Sequence, residues 1–283
     1  MAEGPRRRFL LVDVDGTLLT PAGAVTPRTQ AVLRRAVAQG MILVLASGRT
    51  YPSLLRIARM LEVPSHLIAN GGAVGLTPGA AAVSHTRFLS PDLWPEIVRR
   101  CQAEGLSTLV FRHRHPEPPL FYVASLFGDL HFESYLGRHR ANARVVSELA
   151  AEPLAEVVEV AALGSGPAFE AASARVMSAL DGTASCHSMV LYLSTQYGKI
   201  TEFFQAGTSK WGAFLAMFPD AARDPHQVIA VGDEANDVEM IAAAGVGVAM
   251  GNGTPELRAA ADVVTADNDH DGLAQAVEPL LEG

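Results

Sequence analysis

Residues 8–19 read Arg8-Phe9-Leu10-Leu11-Val12-Asp13-Val14-Asp15-Gly16-Thr17-Leu18-Leu19. Phe9 to Val12 is a short continuous apolar run, the pattern of a strand buried on both faces, as in a parallel sheet. It stops at Asp13-Val14-Asp15, and Asp15-Gly16 marks a sharp turn. Two carboxylates two residues apart leave a strand on the same side. Acids gathered at the end of a buried strand are costly unless positive charge sits between them. Carboxylate oxygens suit hard cations, so the segment points to Mg²⁺ rather than zinc. The same residues also fit a strand that ends in a solvated polar turn. The rest of the chain has to decide.

Outward from this strand the pattern repeats. Thr26-Pro27 supplies a helix N-cap and a first-turn proline, Val32, Leu33, Ala36 and Val37 recur at helical spacing, and Gly40 closes the helix. A buried strand over 41–46 ends in Ser47-Gly48-Arg49, a helix follows over 52–61, and a short strand over 66–69 ends in Asn70-Gly71-Gly72. Strand, helix, strand, helix, strand at this spacing opens a doubly wound parallel sheet. The rhythm then changes. A hairpin is expected over 74–88 around Thr77-Pro78-Gly79, then helices over 91–104 and 169–180. Strands are expected over 108–112, 120–124, 190–194 and 199–202. A polar turn over 113–119 separates two of these pieces. From Thr208 the first rhythm resumes: a helix to 218, a strand over 227–231 ending in Gly232-Asp233, a helix over 236–244, a strand over 245–249, and a helix from Pro255. The chain therefore reads as an α/β protein. Residues 1–87 and 205–283 form a Rossmann-like core, and residues 88–204 form an inserted α+β domain.

Composition narrows the function classes. With 49% hydrophobic and 18% charged residues, the 283-residue chain is compact rather than disordered. Its net charge of −8 argues against nucleic acid or an anionic membrane as the main partner. Two cysteines, Cys101 and Cys186, make neither a disulfide framework nor a zinc motif. The histidines at 113, 115, 131, 139 and 187 show no ligand spacing. Arg6-Arg7-Arg8 precedes too short an apolar run for a signal peptide, and no stretch approaches the ~18 apolar residues of a membrane span. A cytoplasmic protein is the expectation.

In a doubly wound sheet the carboxyl ends of the strands line one crevice. Asp13, Asp15, Ser47 and Asp233 would meet there, and the three acids could hold a divalent ion. Asp233 and Asp237, four apart, are expected to share the first turn of a helix. Lysine is scarce: of the 22 basic residues only Lys199 and Lys210 are not arginine. Lys210, at a helix start after Gly207-Thr208-Ser209, suits a point charge reaching a phosphate. Trp94 and Trp211 read as packing, Gly232 as a backbone requirement, and Arg112 and Arg114 as a solvated turn.

In chain order these pieces are DVDGT, ASGR, TSK and GDEAND. Together they resemble the haloacid dehalogenase superfamily, specifically its Cof-like branch of sugar-phosphatase-type enzymes, over nearly the whole chain. Asn70-Gly71-Gly72 is similar to a turn of that branch, and the insertion matches a C2-type cap. The resemblance implies that Asp13 is the nucleophile and carries the phosphoryl group, while Asp15 protonates the leaving alcohol and later deprotonates water. It implies Mg²⁺ held by Asp13, the Asp15 backbone carbonyl, Asp233 and water. Ser47 and Gly48, with Lys210, would bind the phosphoryl oxygens, and Asn70 and Arg49 are further candidates. Asn236 and Asp237 would orient Lys210 and metal-bound water, and Thr17 the acid of the first turn. Competing readings remain: Arg49 as a surface residue, Ser47 as a helix cap, and Asp237 as an ordinary first-turn acid.

The implied activity is Mg²⁺-dependent hydrolysis of small phosphomonoesters, sugar phosphates first, with flavin or pyridoxal phosphates in the same branch. A large cap implies a closed chamber suited to a phosphorylated metabolite. The expected assembly is a monomer or homodimer. A phosphomutase would use the same residues, and a receiver-like or non-catalytic phosphoryl-binding module would need neither Asp15 nor the insertion.

Overall fold

The computed structural model describes residues 8–79, 83–113, 121–123, 135, 143–193, 196–221 and 224–282. Two compact units emerge: Met1–His85 with Ser209–Gly283, and Thr86–Thr208. The first opens with β1 (Phe9–Asp13), α1 (Pro27–Ala38), β2 (Ile42–Ala46), α2 (Tyr51–Leu61), β3 (His66–Ala69), a 3₁₀ turn over Asn70–Gly72, and β4 (Val74–Leu76), with β5 (His85–Thr86) at the boundary. The second carries α3 (Leu93–Ala103), β6 (Ser107–Arg112), β7 (Phe121–Val123), β8 (Ala143–Val145), β9 (Val157–Gly164), α4 (Gly166–Ala179), β10 (Ala184–Leu193) and β11 (Gln196–Gln205). The first unit is completed by α5 (Lys210–Met217), β12 (Val228–Gly232), α6 (Val238–Ala243), β13 (Val246–Ala249), α7 (Pro255–Ala260), β14 (Val263–Val264) and α8 (Gly272–Val277).

The sheet of the first unit has the order β14-β13-β12-β1-β2-β3-β4-β5. It is parallel from β14 to β3, with β4 antiparallel to β3. From β1 the chain steps outward through β2 to β3, and after its return it steps the other way from β12 to β14. The winding direction therefore reverses between β1 and β12, and a ligand crevice opens at such a switch point. Leu10, Leu11 and Val12 are fully buried, because both faces of a parallel sheet are covered. Phe9, Leu11, Val44, Val228 and Ala230 share one core with Trp211, Phe214 and Met240. Trp211 stacks on Phe214, and Phe9 of β1 meets Phe214 edge-on and Phe218, the residue just past α5, in a tilted contact. The start of that helix, with Lys210, is thereby anchored to the sheet.

The second unit is a six-stranded sheet ordered β10-β11-β9-β6-β7-β8. Trp94, Ile97, Val98 and Cys101 of α3 pack with Phe169 and Val176 of α4 against Val110, Val160, Ala162 and Phe203. It is an α+β unit whose helices share an apolar cluster with the sheet.

Several expectations need correction. The unit boundary falls at 85/86 and 208/209 rather than 87/88 and 204/205. β9, in the middle of its sheet, had no counterpart in the sequence reading, nor had β8, β14 and α8. β10 and β11 form a ladder running from Ala184↔Gln205 to Leu193↔Gln196, roughly twice as long as expected. The helix expected over 236–244 is a 3₁₀ turn over Ala235–Asp237 followed by α6. Arg114, His115, His131, His139, nearly all of the 113–119 turn, and residues 80–82 of the hairpin lie outside the described residues. Among the described residues no helix is long and apolar enough to cross a membrane.

Candidate active site

Parallel pairing aligns the strand ends. Asp13 stands opposite Ala46 in register, so Ser47 follows beside it, and Asn70 follows β3. On the other side of β1, Asp233 follows β12, and Asn252 lies beyond the end of β13. Five turns distant in sequence thus share one edge.

Lys210 organises the buried part. Its Nζ donates to Asp13 Oδ1 at 2.6 Å, to Asp237 Oδ1 at 2.6 Å and to Asn236 Oδ1 at 3.2 Å. The residues are 2% (Lys210), 4% (Asp13) and 0% (Asp237) exposed, so the ion pairs are shielded from water. The other oxygen of Asp237 accepts from the backbone N–H groups of Asp233 and Glu234, both at 3.1 Å. That arrangement closes a capping box with Glu234 and turns the Asp237 side chain back toward Asp233. Asp233 and Asp237 therefore do not share a helical turn; they meet through this reversed loop. Thr17 Oγ1 donates to Asp233 Oδ1 at 2.8 Å, so it orients the acid of β12 rather than one in its own turn.

Two glycines make the closeness feasible. Gly16 sits at φ +81°, and a Cβ there would overlap Asp233 Oδ2. Gly72 at φ +115° lets the turn after β3 press against the Ser209 carbonyl, where a Cβ would overlap. Ser209 caps α5 by accepting from Gly212 N at 2.9 Å, which sets Lys210 as its first residue.

Asp15 stands apart from this buried group. Its side chain is 55% exposed, and both oxygens accept from Arg49, Nε at 2.7 Å and a terminal nitrogen at 2.6 Å. Arg49 also donates to Ser53 Oγ at 3.1 Å. Ser47 is buried, and its Oγ accepts from Arg49 N at 3.1 Å, which shapes the Ser47-Gly48-Arg49 turn. The Asn70 backbone N–H donates to the Arg49 carbonyl at 2.9 Å, and Gly71 N to the Ser47 carbonyl at 3.1 Å, tying this turn to the next. Asn252 is a site residue the sequence reading missed. Its only signal is a Gly-Asn-Gly turn at the carboxyl end of a parallel strand.

The electrostatics are unbalanced. Asp13, Asp233 and Asp237 converge with carboxylate oxygens within 4.8 Å of one another, against one lysine. Burial holds Asp13 well above its ordinary 3.8, with Asp237 and Asp233 adding to the rise and Lys210 opposing it. Asp233 is pushed up to about 7, chiefly by burial and then by Asp237. Burial works against charge on Lys210, but Asp13 and Asp237 outweigh it, and the amine is held above its usual range. An acid group with this residual negative charge fits a hard divalent cation. Asp237 has both oxygens committed to Lys210 and two N–H groups, so Asp13 and Asp233 are the carboxylates best placed to ligate it.

A family profile described as haloacid dehalogenase-like hydrolase matches residues 10–277. The pyridoxal phosphate phosphatase of Escherichia coli is 26% identical over 286 residues, 95% of this chain and 97% of that protein. A solved haloacid dehalogenase-like hydrolase from Bacteroides thetaiotaomicron superposes with a TM-score of 0.77 at 23% identity, covering 97% of this chain and 100% of that one. A solved subclass IIB sugar phosphatase superposes at 0.76 and 21% identity, covering 96% and 98%. These two structures share the fold with this chain.

Proposed function

The chain belongs to the haloacid dehalogenase-like hydrolases and is a phosphatase of that family, and on that premise we propose that it hydrolyses small phosphorylated metabolites through a phosphoryl group carried on Asp13. Sugar phosphates are the leading substrate class, and flavin and pyridoxal phosphates follow. The supporting observation is Asp13 itself, a buried carboxylate at the switch point of the sheet, held 2.6 Å from Lys210 and gathered with Asp233.

In this reading an oxygen of Asp13 attacks phosphorus as the bond to the leaving oxygen breaks. Asp15 gives its proton to the departing alcohol, then takes one from the water that attacks the phosphoryl-aspartate, releasing phosphate and restoring Asp13. Arg49 engages both oxygens of Asp15 in the structure, so proton delivery requires that pair to open. Lys210 fixes the direction of the Asp13 carboxylate and, with Ser47 and Gly48, faces the phosphoryl oxygens. Asp237 and Asn236 hold Lys210 in place, and Arg49 and Asn70 shape the neighbouring turn. Asp13, Asp233 and the Asp15 backbone carbonyl would hold Mg²⁺, which supplies positive charge between the anionic nucleophile and the phosphate. The unit over 86–208 is the source of substrate selectivity.

The test is phosphate release from a panel of sugar phosphates, flavin mononucleotide and pyridoxal phosphate, with Mg²⁺ and with chelator. Mg²⁺-dependent release from a group of related compounds supports the reading. Equal release in chelator contradicts the cation, and silence across the panel contradicts the substrate class.

A further inference from the structure

Asn252 plays no part in the chemistry just described, yet it touches both halves of the cation pocket. It lies on the loop after β13, and its Nδ2 donates to the Gly16 carbonyl at 2.9 Å and approaches Asp233 Oδ2 at 3.4 Å. We propose that Asn252 is a positioning residue for the divalent cation, clamping the Asp233 carboxylate to the Asp15–Gly16 turn. The inference rests on the reading that Asp13, Asp233 and the Asp15 carbonyl hold that cation.

The orientation of the amide is determined by its surroundings. Asn252 Oδ1 accepts from Asn268 N at 3.0 Å, so the NH₂ end must face Gly16 and Asp233. Turned the other way, its oxygen would oppose two acceptors and its NH₂ a donor. Asn268 is itself tied to the same turn, donating from Nδ2 to the Leu19 carbonyl at 2.7 Å. The loop backbone is equally restrained. Met250 N donates to Gly232 O and Thr254 N to Asp233 O, both at 2.9 Å. Asp233 is consequently gripped from two sides, Oδ1 by Thr17 and Oδ2 by Asn252. Each carboxylate oxygen accepts more than one partner, so this grip leaves lone pairs for a cation.

The Gly16 contact has a second effect. Gly16 adjoins Asp15, so a hydrogen bond on its carbonyl fixes the peptide plane of the turn whose preceding carbonyl would be a ligand. Asn252 thereby sets the position of two donors that follow neighbouring strands, β1 and β12, without ligating anything. Groups that orient ligands in this way change metal affinity by ~10–100-fold when removed. Asn252 is exposed, so its removal leaves the apolar core intact.

Two variants test the clamp. Asn252→Ala removes the amide, and Asn252→Leu replaces it with an apolar side chain of similar size. Mn²⁺, a paramagnetic stand-in for Mg²⁺, is titrated into each purified full-length protein and the free ion is read by electron paramagnetic resonance. Melting temperatures are measured in chelator. The expected result is Mn²⁺ binding weakened ~10-fold or more in both variants, with melting in chelator unchanged and kcat recovered at saturating Mg²⁺. Binding within twofold of wild type in both variants overturns the clamp. So does weakened binding that merely follows a lowered melting temperature in chelator, because a structural role would produce that. A wild type that takes up no Mn²⁺ overturns the cation reading and the clamp with it. Binding by wild type and variants alike overturns the clamp alone.

Discussion

Replacing Asp237 with asparagine is the sharpest probe of the buried network. Asp237 uses Oδ1 on Lys210 Nζ at 2.6 Å and Oδ2 on the N–H groups of Asp233 and Glu234 at 3.1 Å. Every neighbour is a donor, and asparagine offers one acceptor and one NH₂. In either orientation the NH₂ faces a donor, so one side of the network is lost. Removing one partner of a buried ion pair costs about 3–5 kcal/mol, a large part of the ~5–15 kcal/mol that holds a domain folded. Lys210 keeps Asp13 and Asn236, which places the loss at the lower end, about 3 kcal/mol. The assay is urea unfolding followed by tryptophan fluorescence. Trp211 reports on the first unit and Trp94 on the second, so a Trp94→Phe background isolates the unit that carries the site. The unfolding midpoint should fall with an unchanged denaturant slope, the sign of lost stability rather than altered compactness. Lys210 also loses its direction, and a ~1 Å displacement costs on the order of 100-fold in kcat. A loss below about 1 kcal/mol with wild-type turnover would refute the network as described.

Three further outcomes follow from particular contacts. Gly16→Ala should abolish turnover and Mn²⁺ binding together, because the residue sits at φ +81° and its new Cβ would displace Asp233 Oδ2; normal Mn²⁺ binding by the variant would contradict this. The pH dependence has a definite sign. Asp233 has its folded pKa raised from 3.8 to about 7, so the folded protein holds a proton that the unfolded chain releases. The Asp233 contribution to stability without cation is therefore full below about pH 4 and is lost as pH rises through about 7. Mg²⁺ favours the carboxylate form, so the rise in melting temperature on adding Mg²⁺ should be larger at pH 8 than at pH 5; an equal or reversed difference would contradict the assignment. Finally, burial pushes the Cys101 thiol up to about 12 and Cys186 to about 11. Both should resist a disulfide reagent at pH 8 until the protein unfolds, since the thiolate is the reactive form; rapid labelling of the native protein would count against it.

The core was readable from sequence where one physical signal dominated. β1, β2 and β3 are apolar runs closed by polar turns, and the register that aligns Asp13 with Ser47 follows from parallel pairing alone. Where signals mixed, the reading failed. β9 carries Glu159 inside Val-Val-Glu-Val, and a buried acid breaks the apolar run that marks a central strand. β10 begins Ala-Ser-Cys-His-Ser, small and polar residues without the apolar character of its second half. The start of α6 was misplaced because Glu234 and Asp237 cap each other's backbone, a pairing that acidic spacing does not announce. The candidate site residues could be named from local sequence, but their partners could not. Nothing in local sequence says that Thr17 turns to Asp233, that Arg49 takes both oxygens of Asp15, or that Asn252 reaches Gly16 across 236 residues. Those contacts are set by the order of strands, which only the folded sheet displays.

The proposed function requires Asp13 to be the group that receives phosphate. The direct measurement is to quench the enzyme during turnover of an active substrate, digest it at acidic pH, and locate any phosphoryl group by mass spectrometry. The expected result is an acid-stable, base-labile phosphoryl group on the peptide containing Asp13, lost once the substrate is exhausted and absent from Asp13→Asn, which should not turn over. Steady turnover by Asp13→Asn, or a phosphoryl group that maps to another residue, would contradict it.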